Sequence, residues 1–162
     1  MRLIVAAVGR KGPFDAATAD YLDRATKTGR SVGLSGPDLL TVDAPRALSG
    51  STRQAREADL LAGALPDGAR LVLLDEGGDQ VTSRAIASLI ERERDAGTSG
   101  LGFVIGGADG FDDGFRAASR ARAATTIAFG WATWPHMLVR LMLAEQIYRA
   151  TTILTGHPYH RD

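Results

Sequence analysis

Side chains able to do chemistry gather at three places in the second half of the chain. They are the glycine run Ile105-Gly106-Gly107-Ala108-Asp109-Gly110, the carboxylate of Glu145, and the ending Gly156-His157-Pro158-Tyr159-His160-Arg161-Asp162. Consecutive glycines after an apolar segment let a ligand approach the backbone, with N–H groups available to donate; the same residues also serve as a plain strand-to-helix turn. Asp109, Asp112 and Asp113 flank the run. Their charge disfavours a phosphate and suits a neutral or cationic ligand. Glu145 shares a helical stripe with Leu138, Leu141 and Tyr148, which predicts partial burial, and Arg149 one turn later is an ion-pair partner. A carboxylate held in that way can still orient a substrate. The ending combines aromatic, imidazole and guanidinium groups, which stack on unpaired bases and contact phosphates. Chain ends also fray, so both readings of it stand.

Other chemistries are excluded or disfavoured. The chain has no cysteine, which removes disulfides, thiolate nucleophiles and cysteine zinc sites. No serine occupies a G-x-S-x-G elbow. His157 and His160 lack a third ligand nearby, so no metal is expected. Gly9-Arg10-Lys11-Gly12 follows a strand-like segment but lacks the spacing of a phosphate loop or a dinucleotide fingerprint, and reads as a turn.

Lys plus Arg and Asp plus Glu number 19 each among 162 residues, a net charge of zero. A protein that coats nucleic acid regardless of sequence normally carries a positive excess. Balance leaves room for a shape-specific enzyme that meets RNA through a small patch. Arginine dominates the basic residues, which suits bidentate phosphate contacts; a GC-rich coding bias explains it equally well. No apolar run reaches the roughly 18 residues of a membrane span. Leu3 to Val8 enters a strand with no charged head or cleavage site before it, so the expected setting is cytoplasmic.

The elements that must position these groups alternate. Strands are expected at Leu3–Val8, Leu39–Val42, Leu71–Leu74, Phe103–Ile105 and about Thr125–Phe129. Helices are expected at Phe14 to about Lys27, about Ser51–Leu65, from a Thr82 cap to about Asp95, around Phe115–Arg120, and from Pro135 to about Thr151. Thr28 to Asp38, rich in Gly and Ser, reads as a mobile loop, Asp75 to Asp79 as a second loop, and Gly130 to Trp134 as a third. Alternation of this kind predicts one α/β domain over 1–162, a parallel sheet with helices on both faces. Ligands of such sheets bind beyond the carboxyl ends of the strands, which brings the loops after Leu74, Ile105 and Phe129 to one edge. The last helix is apolar on two sides, with Leu138, Leu141 and Tyr148 on one stripe and Val139, Leu143, Ile147 and Ala150 on another. It needs two covers, and a second copy of the chain is the expected second one.

Read together, five segments resemble one known family. Leu73-Leu74-Asp75, Phe103-Val104-Ile105-Gly106-Gly107, Thr133-Trp134-Pro135-His136-Met137-Leu138-Val139-Arg140, Ala144-Glu145-Gln146-Ile147-Tyr148-Arg149-Ala150 and His157-Pro158-Tyr159-His160-Arg161 occur in that order. The chain is similar throughout to the ribosomal RNA large subunit methyltransferase H family, and Val5 to Gly9 fits as well. The resemblance implies a SPOUT fold with a C-terminal trefoil knot, a rare exception to the rule against threading. It also implies a homodimer that uses S-adenosyl-L-methionine, a cation at its reactive sulfur, to methylate N3 of a pseudouridine in 23S ribosomal RNA on assembled ribosomes.

By position, Leu74, Gly107 and the segment Gly130, Trp131, Ala132, Thr133, Trp134 and Pro135 should hold the cofactor. Glu145, Tyr159, His160 and Arg161 should lie near the target base, with the tail supplied by the opposite subunit. The family usually carries a small polar residue where Gly130 stands and a smaller apolar residue or Phe where Trp134 stands, and the position of Trp131 varies. Two rival readings are a SPOUT methyltransferase with another RNA target, and a nonenzymatic ribosome-associated nucleotide-binding module, which would not bind S-adenosylmethionine.

Overall fold

A computed structural model describes residues 1–45 and 47–161; Asp162, the last residue of the tail, lies outside the described residues. Five strands form one parallel sheet: β1 (Arg2–Val8), β2 (Ser35–Val42), β3 (Arg70–Gln80), β4 (Gly100–Ile105) and β5 (Ala123–Ala128), in the order β2-β1-β4-β3-β5. The connecting helices are α1 (Asp15–Gly29), α2 (Gly50–Ala64), α3 (Ser83–Asp95), α4 (Asp113–Ser119) and α5 (His136–Thr155). β1 and β4 are apolar and buried on both sides, as central parallel strands must be.

Two apolar layers sandwich the sheet. On one face Leu3, Val5, Phe103 and Ile105 meet Leu22 and Ala25 of α1, Ile86 and Ile90 of α3, and Leu143 and Ile147 of α5. On the other, Ala6, Val8, Leu71 and Val104 meet Leu61 and Leu65 of α2 with Phe111 and Phe115 at α4. The crossovers explain the split. β1 to β2 and β3 to β4 move one way across the sheet, while β2 to β3 and β4 to β5 move the other. A right-handed crossover puts these two sets of helices on opposite faces.

The expected mobile loop at Thr28 to Asp38 is corrected. α1 runs on to Gly29, a 3-10 turn covers Arg30–Val32, and β2 already starts at Ser35, paired with Arg2. Gly29 closes α1, Gly33 caps the 3-10 turn, and Gly36 serves the pairing. Gly36 has φ +76°, and a Cβ there would stand 2.4 Å from the Leu3 carbonyl oxygen, so only glycine lets β2 lie this close to β1.

Asp75 to Asp79 is likewise part of β3. After a break in register at Leu74, Asp79 pairs with Ile127 and Gln80 with Ala128. β4 begins at Gly100 and β5 at Ala123, each earlier than the apolar pattern alone indicates. α4 opens at Asp113, because Asp112 Oδ1 accepts from the Phe115 N–H at 3.0 Å. Thr82 caps α3 as expected, accepting from the Ala85 N–H at 3.2 Å. α5 reaches Thr155, where Gly156 ends it in a left-handed turn at φ +67°.

The extension of β3 depends on Gly78. A Cβ there would stand 2.6–2.9 Å from Ile127 backbone atoms. Gly78→Ala should therefore lower stability by about 1–3 kcal/mol through forced separation of β3 and β5, read as a lower urea midpoint at unchanged m-value. An unchanged midpoint would show that the two strands do not depend on this contact.

Candidate active site

The carboxyl ends of β4 and β5, with the register break in β3, enclose a cavity of about 300 Å³. Leu74, Asp75 and Glu76 line one side at the register break within β3, Ile105, Gly106 and Gly107 the centre at the end of β4, and Ile127 to Gly130 the other side at the end of β5. Ala132, Thr133, Trp134, His136 and Val139 close it. The turns after Ile105 and Phe129 thus meet as expected, whereas the third side is β3 itself, which continues past Leu74 where a loop was expected.

Six of the eight residues expected beside a cofactor are on this wall: Leu74, Gly107, Gly130, Ala132, Thr133 and Trp134. Pro135 is not; it caps the start of α5. Trp131 is not either, and its side chain is 92 % exposed. The reason is local. Gly130 turns the chain at φ +95°, and Trp134 Nε1 donates to the Phe129 carbonyl at 2.9 Å. That bond closes the loop, leaving Trp134 against the cavity and Trp131 facing outward.

Charge on the wall is arranged by ion pairs. Asp75 Oδ2 accepts from Arg116 Nη2 at 2.6 Å and Nε at 3.1 Å, tying β3 at its register break to α4. Glu76 and Asp109 also line the cavity. Gly107 is backed by α2, where the buried Glu57 pairs with Arg53 at 2.9 Å. A Cβ on Gly107 would stand 2.3 Å from Glu57 Oε2, so a side chain there would displace that carboxylate. Glu57 gave no signal in the sequence, since a glutamate on a largely polar helix is normally solvated.

His136 and Arg140, on successive turns of α5, were also not assigned from sequence. Arg140 is 2 % exposed; its Nη2 donates to the Val8 carbonyl at 3.1 Å, and its Nη1 lies 3.8 Å from Asp15. One buried cation so joins the end of β1, the start of α1 and the start of α5. Burial lowers its affinity for a proton, with Asp15 acting in the opposite sense. Gly9, at φ +117°, lies against His136 and Arg140. Burial, and after it the Arg140 charge, push the His136 pKa below its ordinary value.

Two of the four residues expected near the target base, Glu145 and Tyr159, come together beside this cavity. Glu145 Oε1 accepts from Arg149 Nη2 at 2.5 Å and from the Tyr159 hydroxyl at 3.1 Å, while Oε2 accepts from Gln146 Nε2 at 2.8 Å. The Tyr159 ring packs on Tyr148 at 4.6 Å between centroids, and the Arg149 guanidinium lies 5.0 Å from its centre. Burial first, then hydrogen bonding with Tyr21 and Glu145, raises the Tyr159 pKa above the ordinary tyrosine value.

Glu145 lines a second cavity with Tyr21, Val81 to Ser83, Phe129, Leu141, Met142 and Gln146. Phe129 belongs to both cavity walls. His160 is half-buried and Arg161 exposed, so within one chain the structure gathers Glu145 and Tyr159 but does not bring Arg161 to them. Among the described residues, no group of three or more His, Cys, Asp or Glu side chains could hold a metal ion.

The depressed His136 pKa has a sign. The unfolded chain takes up a proton at about pH 6.5 before the folded one does, so folding loses stability as pH falls below that value. Between about pH 7 and pH 5 wild type should lose more thermal stability than His136→Asn, by calorimetric melting. Equal losses would remove His136 as the source.

Comparison with known proteins agrees with this geometry. Residues 1–160 match the model of a family described as predicted SPOUT methyltransferases. The chain is 51 % identical over 164 residues to the ribosomal RNA large subunit methyltransferase H of Paracoccus denitrificans, covering 100 % of both chains. It is 46 % identical to the protein of that name in Bradyrhizobium sp., covering 99 % of this chain and 98 % of the relative. With that of Rhizobium rhizogenes it shares 48 %, covering 99 % of each. No helix among the described residues is long and apolar enough to cross a membrane. A parallel α/β sheet, glycine-rich strand ends around one cavity and full-length similarity together identify the chain as a SPOUT methyltransferase of the ribosomal RNA large subunit methyltransferase H family.

Proposed function

We propose that this chain uses S-adenosylmethionine to methylate N3 of a pseudouridine in 23S ribosomal RNA, acting as a homodimer on assembled ribosomes in the cytoplasm. The observation that carries the reading is the strand-end cavity. Its volume of about 300 Å³ is at the lower end of ordinary small-molecule sites. Its wall joins apolar side chains (Leu74, Ile127, Val139) with glycine backbone at 106, 107 and 130, and with the carboxylates of Glu76 and Asp109. That donor set fits a nucleoside carrying a positive charge, and Leu74, Gly107, Gly130 and Thr133 would hold it.

When bound, the cofactor supplies a methyl group activated by a positively charged sulfur. The protein's part is then to place the base and manage the N3 proton, which must leave before the nitrogen lone pair can attack. Tyr159 is not suited to receive that proton: its raised pKa keeps the hydroxyl protonated, and it donates to Glu145. Its role is to hold the carboxylate, with Arg149 and Gln146. Glu145, positioned in this way, orients the base or takes the proton. Arg161 or His160 stabilises the negative charge that develops on the carbonyl oxygens next to N3.

The homodimer is supported by α5. Leu143 and Ile147 are fully buried within the chain, whereas Leu138, Leu141 and Met142 keep partial exposure along the side that bears Glu145. A second copy covering that side would also bring a second tail, with its Arg161, toward the cavities. Trefoil threading at the C-terminal end belongs to the same reading. Its support is family membership and the placement of β5 at the sheet edge beyond β3, from which α5 returns to pack on α1 and α3. Zero net charge fits a large preassembled substrate, whose composite surface replaces general phosphate attraction.

Mass spectrometry of 23S ribosomal RNA from a deletion strain should show one pseudouridine without its methyl group; an unaltered methylation pattern would reject the target. Glu145→Ala and Arg161→Ala should each lower turnover about 100-fold or more, with calorimetric affinity for S-adenosylmethionine little changed. Wild-type turnover in both variants would reject their assignment.

A further inference from the structure

Trp131 is the largest exposed apolar surface among the described residues, at 92 % accessibility. It is not on a slack segment. Gly130, at φ +95°, and the Trp134 Nε1 bond to the Phe129 carbonyl close the loop that carries it. Its chain neighbours Gly130, Ala132 and Thr133 all line the strand-end cavity. An indole presented outward at the rim of that cavity meets whatever is laid over the opening.

From this placement, and resting on the functional reading above, we propose that Trp131 is a substrate-positioning residue that stacks on an unpaired nucleobase next to the one being methylated. The ring offers a flat, rigid π-face, which accepts any base without reading its edge. Stacking also supplies attraction that a chain of zero net charge does not draw from a general positive field. With Arg116 paired to Asp75, the other carboxylates of the cavity wall, Glu76 and Asp109, disfavour a phosphate there and leave a base face as the fitting partner.

The test uses the full-length protein and ribosomes from a strain lacking the enzyme. Cosedimentation should show Trp131→Ala binding these ribosomes about tenfold more weakly than wild type. Trp131→Phe, which keeps an aromatic face, should recover most of the loss. Calorimetric affinity for S-adenosylmethionine and the mass in analytical ultracentrifugation should match wild type in both variants. Equal ribosome binding by Trp131→Ala overturns the stacking role. A drop in oligomeric mass overturns it too, by showing that a second copy covers the indole. Methyl transfer by the wild type to the same ribosomes is scored separately: its failure counts against the methyltransferase reading, while the binding comparison still decides Trp131.

Discussion

The site depends on how closely β3 and β5 can lie. β5 reaches its place only by passing over β3, and β3 continues beyond the sheet's general edge to stay paired with it as far as Gln80. Gly78 makes this possible, since any side chain there would press on the Ile127 backbone. The loop after β5 then comes down beside Leu74 and Gly107 instead of pointing into solvent. Had β5 been held a few ångströms away, those loops would not enclose a small-molecule cavity, and α5 would start from a different point.

From that start, α5 carries three tasks. Its first turns close the cavity through His136 and Val139 and lock onto β1 through Arg140. Its middle fills the core between α1 and α3 with Leu143 and Ile147. Its third stretch presents Glu145 and Arg149 to the tail, where Tyr159 binds back. Burying Arg140 costs desolvation, which its hydrogen bond to Val8 and its approach to Asp15 offset. The cation fixes the relative position of β1, α1 and α5. The two cavities on either side of Phe129 keep a fixed relation because one rigid helix contributes to both walls.

Electrostatics divide the two cavities by role. Around the strand ends, Asp75 is neutralised by Arg116, while Glu76 and Asp109 leave a mildly acidic lining. Around Glu145 every neighbour donates: Arg149, Gln146 and the Tyr159 hydroxyl. A negative group held by three donors is preorganised, so little rearrangement is needed when charge moves nearby.

Much of this was legible in the residues themselves. Apolar runs bounded by Gly and Pro marked the five strands, and their alternation with helical segments implied the parallel sheet and its working edge. The Glu145–Arg149 pair followed from a four-residue helical spacing, and the cap at Thr82 from its type and place. These are local properties, carried by a few consecutive residues whatever the rest of the chain does. Tertiary structure decided the remainder. Ser35 to Asp38 became strand because β1 supplied hydrogen-bond partners that outweighed its Gly and Pro. Glu57 and Arg140 came to matter only through Gly107, just after β4, and Val8 of β1, which lie 50 and 132 residues away in the chain. Trp131 turned away from the cavity and Trp134, though 42 % exposed, against it, through one bond to a backbone carbonyl. Contacts between distant segments leave no periodicity or spacing to read, because their partners meet only once the sheet has formed.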